Sequence, residues 1–200
     1  GYDIVPIKPG TKYPKGLNDW QLIQATEVDL NRWLVNGFTR GGVGVLTKNT
    51  PAIDIDVHDS AIVQKLVTFC DLHFEAPVQR IGRAPKTLLV YRTDQPFTKR
   101  LSTGYRDGDG QIHRIEVLGE GQQFVAYGIH PDTRKPYTYA ADDLASVDVD
   151  DLPLLTQDDI EALFAYFDTL AAEAGWAKAG WAKAGSATEG GDRAHTDPLE

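Results

Sequence analysis

Residues Ile53-Asp54-Ile55-Asp56-Val57 alternate strictly between apolar and acidic side chains. A period of two over five residues fits an extended strand with two unlike faces. Ile53, Ile55 and Val57 then point into a core, while Asp54 and Asp56 share the other face, roughly 7 Å apart along the strand. Strands disfavour aspartate, and carboxylates this close repel. Either both face bulk water or a divalent cation neutralises them, and so short a word leaves both readings open.

A third acid, Glu116 in Arg114-Ile115-Glu116-Val117, alternates with apolar neighbours in the same way. Three carboxylates on adjacent strands can bind two divalent ions, which activate an attacking hydroxyl and steady a leaving phosphate oxygen. An ion pair with Arg114 is the plainer role for Glu116. Between these acids, Arg80-Ile81-Gly82-Arg83-Ala84-Pro85-Lys86 reads as a basic Gly/Pro loop leading into a strand that ends at Arg92. Arginine and lysine there suit a triphosphate, supplying a rigid fork of donors and a point charge.

Net charge is -9, which argues against nucleic acid until its distribution is read. Residues 80–114 hold eight Lys/Arg against three acids, and residues 141–200 hold three against fourteen. A bound phosphate responds to the local field, so the basic middle counts, unless it merely solvates a face. The single cysteine, Cys70, rules out an internal disulfide and a Cys-rich zinc site, so a reducing, cytoplasmic setting is expected. No apolar run is long enough to span a membrane.

Thr26-x-x-Asp29 and Thr156-x-x-Asp159 are capping-box patterns. They open helices with apolar stripes Leu30, Trp33, Leu34, Phe38 and Ile160, Leu163, Phe164, Phe167, Leu170. Asp59 or Ser60 caps a third helix carrying Ile62, Leu66, Phe69, Cys70 and Phe74. Strands are expected at 88–92, 112–118 and 124–127, with an Asp/Gly-rich loop over 105–110. The alternation indicates an α+β or mixed α/β fold. The pattern fails past 174: Gly-Trp-Ala-Lys-Ala occurs twice, at 175–179 and 180–184, before small and acidic residues dominate. Residues 1–174 are therefore expected to form one domain, and 175–200 a flexible or marginally helical tail.

In order, four groups of residues resemble the bifunctional primase-polymerase (prim-pol) domain of phages and plasmids, within the archaeo-eukaryotic primase superfamily. They are Val5-Pro6-Ile7-Lys8-Pro9-Gly10-Thr11-Lys12-Tyr13-Pro14 with Trp20, then Gly42–Val45 with Ile53–Asp56, then Arg83–Arg92, and finally Ile115-Glu116-Val117 with Gly121–Gly128, His130-Pro131 and Tyr137. Many relatives carry Ser-x-His in the second motif; here Arg83 and Lys86 are the available substitutes.

The resemblance implies an RRM-like mixed or antiparallel sheet backed by helices, plus a smaller N-terminal α/β module. It implies a nucleotidyltransferase that makes and extends primers in phage or plasmid replication, with two Mg²⁺ or Mn²⁺ ions on Asp54, Asp56 and Glu116. Arg83, Lys86, Arg92, Gln123 and His130 would contact nucleotide, although Gln123 and His130 suit packing or a turn cap as well. Arg80, Lys99, Arg100, Arg106 and Arg114 would contact a single-stranded DNA template. Tyr13, Trp20, Tyr105 and Tyr137 could stack on bases or simply pack. A helicase, fused or separate, is the further partner the family suggests. A metal-dependent phosphodiesterase or nuclease, and a non-catalytic RRM-like nucleic-acid-binding module, are the alternatives.

Overall fold

The computed structural model describes residues 1–179. In chain order the elements are β1 (Ile4–Pro6), α1 (Glu27–Val35), β2 (Gly42–Leu46), β3 (Ala52–Asp56), α2 (Ser60–His73), β4 (Val78–Arg83) and β5 (Lys86–Val90). Then come β6 (Arg100–Leu101), β7 (Tyr105–Arg106), β8 (Ile112–Leu118), β9 (Gln123–Gly128), β10 (Thr138–Tyr139), α3 (Gln157–Glu173) and β11 (Ala177–Lys178). The main sheet runs β10-β4-β5-β3-β8-β7-β11, with β6 also against β8, and a small sheet runs β1-β2-β9. All these strand pairs are antiparallel.

Local chemistry starts the helices where the sequence places them. Thr156 Oγ1 accepts from Asp159 N at 3.2 Å while Asp159 Oδ2 accepts from Thr156 N at 2.8 Å, and Thr26 with Asp29 repeats the box. Asp59 Oδ1 accepts from the amides of Ala61 and Ile62 to cap α2. The stripe expected on α1 stays largely unburied: only Trp33 is covered, Leu34 and Val35 face out, and Phe38 falls in a separate 3₁₀ turn. Nine residues make two and a half turns, and the helix ends before Phe38 can extend the stripe.

One face of the main sheet packs against α2 and α3. Ile53, Ile55, Val57, Leu89, Ile115 and Val117 meet Ile62, Leu66 and Cys70 of α2 and Ile160, Leu163 and Phe167 of α3. Each such aliphatic side chain contributes roughly 1.5–3 kcal/mol when buried. The other face is covered over only half its extent. There Ala52, Val78, Leu88, Val90 and Leu118 bury against Val45, Phe124 and Ala126 of the small sheet. Because β9 supplies one strand, this second module draws on mid-chain residues as well as the N-terminus.

Three segments differ from the expectation. Residues 80–83, read as loop, belong to β4, and β4 and β5 form a hairpin across Ala84-Pro85. Tyr105-Arg106, expected in a loop, is a strand against His113-Ile112. Ala177-Lys178, expected in the tail, pairs with Tyr105-Arg106. Residues 180–200 of that tail lie outside the described residues.

Candidate active site

Antiparallel pairing of β3 with β8 sets Asp54 opposite Glu116 and Asp56 opposite Arg114. Opposed residues project to the same side of a sheet, so the three acids share the half-face that the small sheet leaves open. Their heads are answered differently. Glu116 is held by Lys99 Nζ at 2.5 Å and by Arg114 at 2.8 Å, and Asp56 is ion-paired with Lys86. Asp54 has no ion-pair partner among the described residues, and it is half-buried at the side of a cleft. Burial raises its pKa above the usual carboxylate value, Arg80 opposes that rise, and Asp56 and Glu116 add to it. Among the described residues no three His, Cys, Asp or Glu side chains converge as a ready-made metal cluster. The expected three-acid site is thus a shared face on which Asp56 and Glu116 are turned onto separate cations while Asp54 stands between them with no ion-pair partner among the described residues.

Beside Asp54 and Asp56 lies a cleft of about 170 Å³. The β4–β5 hairpin forms its cationic side. Register shifts between Arg80 and Arg83, so Arg80 sits opposite Leu88 and Arg83 opposite Lys86. Residues three apart normally face opposite ways in a strand; the irregularity aims both arginines at the cleft. Arg80 forms the floor, 9% exposed, with its guanidinium 4.5 Å above the Tyr137 ring. Gly82 is required beside it, since a Cβ there would come within 2.6 Å of the Tyr137 ring and 3.0 Å of His130.

His130 both caps a turn and lines the cleft. Its Nδ1 accepts from the amides of Asp132 at 3.2 Å and Thr133 at 3.3 Å, which leaves the proton of the neutral ring on Nε2. Burial, reinforced by the Lys12 charge, holds its pKa below the ordinary histidine value. Lys12 enters from the N-terminal loop, which is closed by the Ile7–Pro14 bridge and by Lys8 N donating to Tyr13 O at 2.9 Å. Gln123 Nε2 donates to Lys12 O at 2.7 Å, so Gln123 fixes that loop and does not line the cleft.

The structure therefore brings Arg83, Lys86 and His130 to Asp54 and Asp56. Arg92 is elsewhere: it pairs with Asp94 at the far end of β5, about six residues or about 20 Å from Lys86. Of the arginines and lysine expected to meet DNA, Lys99 and Arg114 hold Glu116. Arg106 lies opposite Ile112 on the same face, one strand in from the sheet's β11 edge. Arg80 is buried in the cleft floor. Arg100 lies opposite Val117 and turns to the helical side, where it meets Gln157 and Glu161. Tyr105 and Tyr137 are buried in packing, while Tyr13 stays 74% exposed.

Sequence reading missed Lys12, Thr87 and Asp132 as cleft residues. Lys12 carried one faint signal, its place in a Pro/Gly/Lys-rich loop; the other two carried none. A family model described as Prim-Pol, bifunctional DNA primase/polymerase, N-terminal, matches residues 1–155. No curated protein matches the chain.

Proposed function

The chain belongs to the Prim-Pol family of bifunctional DNA primase/polymerase N-terminal domains, and from this premise we propose that it is a template-directed primase and polymerase serving phage or plasmid DNA replication. The observation that carries the proposal is the open half-face, where Asp54 stands opposite Glu116 and two residues from Asp56, beside a cleft walled by Arg80, Arg83 and Lys86. A non-catalytic binding module would have no use for three carboxylates on the face meant for phosphate.

The all-carboxylate donor set fits a hard divalent ion. So does an Asp54 that has no ion-pair partner among the described residues and lies on the same face as Asp56 and Glu116. Asp54, Asp56 and Glu116 would hold two Mg²⁺ or Mn²⁺ ions, which when bound would acidify the primer 3′-hydroxyl and neutralise the departing pyrophosphate. Lys86 would exchange Asp56 for a phosphate oxygen, and Arg83 across the hairpin would add a second, forked contact. His130 would offer its Nε2 proton to the same anion. Arg80, enclosed and facing Asp54, would keep the floor cationic while the triphosphate enters and pyrophosphate departs. Lys99, Arg106 and Arg114 would meet the template at the rim.

Primer synthesis on single-stranded DNA with Mg²⁺ or Mn²⁺ tests the assignment. Asp56→Ala is expected to abolish synthesis while circular dichroism shows an unchanged fold. Labelled template incubated without triphosphates is expected to stay intact. Synthesis retained by Asp56→Ala, or cleavage of the template without nucleotides, would overturn the proposal.

A further inference from the structure

Beyond the residues matched to the family, the chain turns at Gly175 (φ +70°) and returns to the main sheet as β11. Trp176 N donates to Ala171 O at 3.0 Å, and Ala179 N to Gly104 O at 2.8 Å, so the return is fixed at both ends. Between them the Trp176 indole lies flat on His113, with centroids 4.0 Å apart and planes 10° from parallel, and meets Phe167 edge-on.

His113 is fully buried, and both of its nitrogens are engaged. Nε2 meets Asp107 Oδ2 at 2.9 Å, and Nδ1 accepts from the backbone amide of His58 at 3.1 Å. With one ring face covered by Trp176, the imidazole has a single orientation open to it. His58 is two residues past Asp56, where β3 has ended. The exit from the strand is thereby pinned three times in succession: Val57 by the core, His58 by His113, and Asp59 by the α2 cap. Asp56 is the last residue of β3, so its direction depends on what holds the residues after it.

We infer that Trp176 is a positioning residue for Asp56, acting through His113 and the His58 amide. The inference rests on Asp56 being a catalytic carboxylate, as proposed above. Misplacing such a group by about 1 Å can cost about a hundredfold in rate, and a loosened turn is a partial misplacement. The β4–β5 hairpin that carries Arg83 and Lys86 lies on the other side of β3 from β8, so its geometry is expected to survive the loss of Trp176.

The test uses the full chain with Trp176→Ala and Trp176→Phe. For Trp176→Ala, kcat of primer synthesis is expected to fall about tenfold while the triphosphate KM stays within about twofold. Hydrogen exchange at the His58 amide is expected to quicken at least about tenfold while that of Leu89 in β5 is unchanged. Trp176→Phe, which keeps an aromatic face on His113, is expected to restore both. An unchanged kcat, or His58 and Leu89 amides loosening together, would overturn the inference. Were the unaltered protein to make no primer, the catalytic reading would fail, and the His58 exchange would still decide whether Trp176 holds that turn.

Discussion

At Asp54 the fold keeps a half-buried carboxylate with no ion-pair partner among the described residues, and its charged form is disfavoured by burial and by two neighbouring acids. A group whose folded pKa lies above its unfolded value favours folding less as pH rises through the folded pKa. Asp54→Asn, which carries no charge, is therefore expected to be more stable than the unaltered chain by about 1 kcal/mol at neutral pH without divalent metal. The gap should close as pH falls toward the usual carboxylate value of 3.8. Thermal melts across pH check the stability, and loss of primer synthesis by the same variant checks that the charge is kept for function. Glu116 was legible as an acid on a strand, and so was its pairing with Arg114. That Lys99 would join it was not, because β6 reaches β8 only through tertiary folding.

The β4–β5 hairpin shows what one element decides. Arg83, Lys86 and Arg92 are neighbours in sequence, and all three suit a phosphate by residue type. The strand irregularity turns Arg83 into the cleft beside Lys86, while strand length carries Arg92 away to Asp94. A charge-assisted hydrogen bond contributes about 1.5–3 kcal/mol. Arg83→Ala or Lys86→Ala should therefore each raise the triphosphate KM about tenfold or more, and Arg92→Ala should leave it within about twofold. Steady-state kinetics on a primed template separates them. A strand irregularity of this kind has no period to read, so 80–86 reads as loop from sequence.

For the molecule as a whole, the two faces of the main sheet take different work. The helical face is sealed by aliphatic and aromatic side chains, and the opposite face is half wall and half open site. DNA approaching the open half would meet Arg106 and would not meet Arg100, which lies behind the sheet. The salt dependence of single-strand binding falls by about 0.7 in slope for each phosphate the protein no longer neutralises. Arg106→Ala should show that decrement in anisotropy titrations across salt concentrations, and Arg100→Ala should show none. With net charge -9, single-strand binding is expected to depend on this local patch and to be weak at high salt.

The strands bearing Asp54, Asp56 and Glu116, the capped helices and the α+β class could be read from the chain alone. Their signals are local: a period of two, a Thr-x-x-Asp box, an apolar stripe. The family likeness rested on the same short words in order. Tertiary structure decided which charges meet. It buried Arg80 under the cleft, brought Lys12 in from the N-terminal loop, sent Arg92 and Arg100 elsewhere, and folded Trp176 back onto His113. Each of these depends on sheet register, a bulge or the return of a distant segment. A side chain's partners across strands are fixed by pairings that its own neighbours in sequence do not encode.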